Sequence, residues 1–142
     1  LKLATPNDPE LLPEIISKEP IAPVVRHGDK QWADLIRWTH FAMVTAEEMG
    51  ITQANVAAKA QEMAAPEARR RNPDLARFTG RDGTFGEMLG VTNDWAVRIV
   101  RHVGNYGESF ERNVGERTPL GIRRGLNALW TKGGLQYAPP IR

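Results

Sequence analysis

The pattern of apolar and polar positions divides the chain into one extended stretch followed by a series of helices. Leu11–Ile16 and Ile21–Arg26 are runs rich in β-branched residues, each interrupted by a proline, Pro13 and Pro23, that cannot donate to a ladder. Each reads as a short or edge strand. Between them Ser17, Lys18, Glu19 and Pro20 contain no Asn-Gly or Gly-X pair that would fold a tight hairpin, so the two runs continue in one direction instead of pairing. Their backbone groups need partners, and nothing downstream alternates with period two for long enough to supply them. The partners are expected on chain beyond this sequence. From Lys30 to Met49 the period changes. Trp32, Leu35, Ile36, Ala42, Met43, Ala46 and Met49 recur three and four apart on one face, and Trp38, Phe41 and Val44 form a second stripe. This predicts a helix buried on two sides, capped by Asp29 and ended by Gly50.

Further helices follow. Thr52 can cap one running to about Ala65, and Pro66 opens another turn that ends in Arg69, Arg70 and Arg71 before Asn72-Pro73. That polar, Ala-rich section is expected at the surface. Thr79–Gly83 has loop chemistry. A short helix over Phe85–Leu89 closes on Gly90, and Asn93 caps Asp94–Val103 with Trp95, Ile99, Val100 and Val103 facing inward. The helix after Asn105 carries Tyr106, Phe110 and Val114. A last helix from Thr118-Pro119 is expected to bury Ile122, Leu126, Leu129 and Trp130, ahead of an extended, irregular tail over Thr131–Arg142. The segment is therefore predicted to be mainly α-helical with two short extended strands, and with Trp32, Trp95 and Trp130 largely buried.

Composition narrows the chemistry. A chain of 142 residues that is 41% hydrophobic and 25% charged can build one domain with a core, and no run approaches the ~20 apolar residues of a membrane span. With no cysteine, disulfides and thiolate metal sites are excluded. The formal charge of +2 is too mild to imply a nucleic-acid partner. The polar, proline-containing opening at Leu1–Glu10 reads as neither signal peptide nor native start. His27, His40 and His102 lack metal-site spacing. His40 and Glu47 lie two turns apart on one helix face, which suits a core-edge histidine and a solvated acid better than an acid–base pair, because no nucleophile accompanies them. Gly104–Gly107 reads as a helix-to-helix turn, and the arginine run as a solvated helix end. No catalytic residue, metal ligand or cofactor motif is found, so the chain is not read as an enzyme.

The words ISKEP, VVRHGD, NDWAV, GNYGESFERN and GLNALW, within Leu12–Thr52 and Gly86–Arg142, carry a resemblance. The chain resembles the C-terminal portion of the periplasmic substrate-binding component of general L-amino acid ABC transporters, in the polar amino acid branch of solute-binding protein family 3. Gln53–Gly83 matches loosely. The resemblance implies an α/β two-lobe type II periplasmic binding protein that closes on an amino acid. Residues 1–16 would end the second lobe, residues 17–20 (Ser17, Lys18, Glu19, Pro20) would be the interlobe hinge, and residues 21–142 would form the C-terminal part of the first lobe plus a helical extension. The principal ligand groups would lie upstream. The implied partners are an L-amino acid in the complete protein, a membrane permease, and the remainder of the protein or a second copy at the strand edges. A reading from another class is a free-standing helical interaction module recruiting partners through those edges.

Overall fold

A computed structural model describes Glu14, Ile16, Ser17 and residues 21–141. Helix α1, Lys30–Glu48, is the central element. The Asp29 carboxylate accepts from the Trp32 N–H at 3.0 Å, satisfying one donor of the first turn. Burial deepens along α1. Trp32 is 50% exposed, contrary to expectation, because it stands in the first turn, whereas Ala42, Val44 and Ala46 are fully buried. Those three lie on both predicted stripes.

Gly50 turns the chain into α2, Val56–Glu62, which is shorter than expected. Asn55, not Thr52, is the N-cap residue, and its carboxamide oxygen accepts backward from the Thr52 N–H at 2.8 Å. Ahead of Pro66, Ala65 is held extended, which separates α2 from α3, Pro66–Arg71. Asn72-Pro73 not only closes α3 but opens a helix absent from the expectation, α4, Pro73–Phe78. Asn72 Oδ1 accepts from the Leu75 N–H at 3.2 Å, and Pro73 takes a first-turn position where no N–H is needed. Leu75, Ala76 and Phe78 are buried, and within the section expected at the surface Val56 and Met63 are fully buried, so part of it supplies core.

Helix α5 is Phe85–Met88 and α6 is Trp95–Val103, with Asp94 rather than Asn93 at its cap position. Asn93 instead accepts from the Glu87 N–H and donates to its carboxylate. Helix α6 packs on both α1 and α2, which explains why Ala96 and Val97 are buried beside Trp95 and Val100 while Val103, at the end, is 39% exposed. Helix α7, Tyr106–Asn113, packs on α1. One apolar cluster joins Ala42, Ala46, Ile51, Met63, Phe78, Trp95 and Val100. A second joins Val44, Leu129 and Ala138, with Phe41 and Tyr106 against them.

The helix expected after Thr118 does not form. Gly121 and Gly125 take φ of +58° and +46°, a region that ends a right-handed helix. The chain makes 3₁₀ turns at Gly125–Asn127 and Trp130–Lys132 instead. Of its four expected core residues only Leu129 is buried, and Ile122, Leu126 and Trp130 are 44–58% exposed. Nor is the tail loose. Leu129 and Gln136 form an isolated parallel bridge, and Ala138 and Ile141 are buried. Residues 122–141 thus form an arm laid along α1.

Among the described residues there is no strand. Ile21–Arg26 has no ladder partner, and Ile21 and Val24 are 99% and 94% exposed. The strand expected there is absent because a strand exists only when paired. Most of the other run, Leu11–Ile16, lies outside the described residues.

Candidate functional site

Of the four expected hinge residues, Ser17 is exposed; Lys18, Glu19 and Pro20 lie outside the described residues. His27 and His102 are exposed, and no group of acidic residues and histidines able to hold a metal ion occurs among the described residues.

His40 and Glu47 are both engaged, in a polar clamp that fastens the C-terminal arm to α1. The His40 ring meets Tyr106 edge-on, with centroids 5.4 Å apart. Burial holds its pKa below the ordinary value, partly offset by the Gln136 side chain. Glu47 is not a solvated acid. Its carboxylate pairs with Arg124 at 3.0 Å, the side chains being 11% and 19% exposed. Arg124 lies over the Tyr106 and Phe110 rings, 5.2 and 5.3 Å from their centroids, and donates to the Asn127 carbonyl. The next residue, Glu48, accepts from the Trp130 indole N–H at 3.1 Å. Burial raises the Glu48 pKa and outweighs that bond, with Glu47 adding repulsion. Adjacent carboxylates on α1 thus each take a donor from the arm. Tyr106 is likewise pushed up by burial, against the pull of Arg124.

The turn into α7 is fixed by a reciprocal cap. Asn105 Oδ1 accepts from the Glu108 N–H, while the Glu108 carboxylate accepts from the Asn105 and Gln53 N–H groups. Asn105 also donates to the buried Ile51 carbonyl at 2.8 Å. Gly104–Gly107 is therefore a helix-to-helix turn, as its sequence predicts. Arg124, Asn127 and Gln136 carry no motif, and only the folded arm brings them to α1. The donors and acceptors of this clamp satisfy one another, which makes it scaffold.

The chain is similar to part of several proteins described as periplasmic or ABC-transporter binding proteins. No protein-family model matches the chain. It is 56% identical over 144 residues to the general L-amino acid-binding periplasmic protein AapJ of Rhizobium johnstonii, covering 100% of this chain and 40% of that protein. Against the putative amino-acid ABC transporter-binding protein YhdW of Escherichia coli the identity is 51%, with the same coverage. The glutamate/glutamine/aspartate/asparagine-binding protein BztA of Rhodobacter capsulatus is 53% identical over 93% of this chain and 37% of its own. Among solved structures, a periplasmic binding protein from Brucella ovis with glutathione bound matches with a TM-score of 0.79 at 55% identity, over 92% of this chain and 39% of that one. The chain spans about 40% of the length of the relatives it matches. The resemblance read from its longest words extends across the whole sequence.

Proposed function

We propose that this chain is the C-terminal segment of the amino acid-binding component of an ABC transporter, which captures L-amino acids in the periplasm and delivers them to a membrane permease. The observation that carries this reading is identity of 51–56% along the entire chain to binding proteins of that description. The unpaired arm at Ile21–Arg26 supports it, since in a two-lobe protein such a segment passes from one lobe to the other and pairs there. In this reading Ser17, Lys18, Glu19 and Pro20 form the hinge, residues 1–16 end the second lobe, and residues 21–142 complete the first. Ligand binding biases an open–closed equilibrium, and the closed form docks on the permease. Similarity over the whole chain to part of much longer transport proteins favours this reading over a free-standing interaction module.

The test is calorimetric titration of the intact protein with acidic, amide, basic and apolar L-amino acids, with D-glutamate as the control. Saturable binding of several L-amino acids and none of D-glutamate is expected. Absence of any amino acid binding overturns the proposal. Glutathione belongs in the same titration, because the Brucella ovis relative holds it.

A further inference from the structure

A cavity of about 410 Å³ is walled by α2, α6 and the loop after α4. Three arginines line it. Arg98 and Arg101, three apart on α6, share a face, and Arg81 comes from the loop. The α2 wall carries Ala57 and Ala60, whose small side chains leave room between the helices. All three arginines are exposed. Among the described residues none of the three takes part in an ion pair, although six other basic residues do. The single carboxylate of the lining, Asp94, accepts from the Thr92 hydroxyl. Three arginines against one aspartate give the lining a formal charge of +2.

We propose that the groove is a binding site for a phosphate-bearing ligand, either free in solution or presented as a lipid headgroup. Guanidinium groups are donors only, and their planar fork matches oxyanions. One fork saturates a carboxylate, which has two oxygens and one charge. Three guanidinium groups on one groove match a ligand with three or more acceptor oxygens and a charge near −2, which is the chemistry of a phosphate monoester or diphosphate. The cavity is also larger than a lone inorganic phosphate requires, which leaves space for the remainder of an ester.

The experiment uses the intact protein that contains this segment, its variants Arg98→Gln, Arg101→Gln and Arg81→Gln, and Arg123→Gln as a control of equal charge change on the exposed arm. Thermal melts establish that each is folded. Pyrophosphate is titrated by calorimetry, and sedimentation is measured with vesicles of phosphatidylglycerol and phosphatidylcholine in equal parts and of phosphatidylcholine alone. The expected result is salt-sensitive binding of pyrophosphate or of the anionic vesicles, weakened roughly tenfold or more by each groove substitution and unchanged by Arg123→Gln. Pyrophosphate binding without vesicle binding assigns a free ligand, and vesicle binding assigns a headgroup. No binding of either, binding that ignores the groove substitutions, or binding that Arg123→Gln weakens equally overturns the site. So does capture of a glutamate-rich peptide where pyrophosphate fails. None of these outcomes depends on amino acid binding by the intact protein.

Discussion

Gly107 shows how one missing side chain can hold a cluster together. A Cβ there would stand 2.8 Å from Arg124 Nη1 and 3.0 Å from the Glu47 carboxylate. Alanine in place of glycine within a helix ordinarily stabilises by up to about 1 kcal/mol, but here it displaces a half-desolvated ion pair whose ends are fixed by two aromatic rings and a carbonyl. Gly107→Ala is expected to destabilise the fold by roughly 1–2 kcal/mol in urea unfolding. In a background where Glu47 and Arg124 are both alanine, the same change should become stabilising. If it stabilises in both backgrounds, the clamp is looser than its geometry. His40 adds a pH dependence. Its folded pKa lies below the ordinary 6.5, so its contribution is fully present above 6.5 and is lost as pH falls through the folded-state value, the unfolded chain binding the proton first. Glu48, with a raised pKa, acts oppositely, contributing stability below 4.5 that is lost as pH rises through its folded value. The difference between wild type and His40→Gln isolates the histidine: wild type should lose melting temperature between pH 7 and pH 5.5, relative to the variant. Parallel curves would refute this.

Two elements test how the scaffold is built. Asn72 begins α4, and Asn72→Ala should lower stability by about 1 kcal/mol through loss of its bond to Leu75. Leu129, 3% exposed, anchors the arm. Leu129→Ala should lower stability by roughly 2–4 kcal/mol, and should raise hydrogen exchange along residues 122–141 more than along α6. Equal protection in both would mean that the arm does not depend on this anchor. The same elements show what was legible beforehand. Helices α1, α6 and α7 could be read because apolar residues recur at helical spacing, and because Asp29 and Asn105 mark two of the starts. Helix α4 was hidden because Asn72-Pro73 is chemically both a stop and a start, and the helix is only six residues long. The arm was misread because Ile122, Leu126 and Leu129 do have helical spacing, whereas the backbone of Gly121 and Gly125 decides against a helix. Of the clamp only His40 and Glu47 on α1 stood out, and their partners on the arm left no local pattern. The clamp's ion pair joins residues 77 apart and its indole bond residues 82 apart.

At the scale of the molecule, the exposed Ile21–Arg26 segment and the proposed hinge before it govern how this scaffold would serve transport. Pro20 fixes its own φ and disfavours helical conformations at Glu19, so rotation would concentrate at Ser17 and Lys18. Pro20→Gly in the intact protein should weaken ligand affinity by about 0.4–1 kcal/mol, because a wider open ensemble must be narrowed on closure. Calorimetry measures this directly, and an unchanged affinity would move the hinge elsewhere. The clamp also bears on how such a protein is made. A ribosome releases α1 some eighty residues before Arg124 and Trp130, the groups that pair with its two carboxylates. Until then Glu47, Glu48 and the buried face around Val44 have no arm to cover them, and the nascent chain cannot complete its native packing. A helix whose buried face is closed only by residues about eighty positions further along depends on long-range contacts, so its docking should lag behind its own formation.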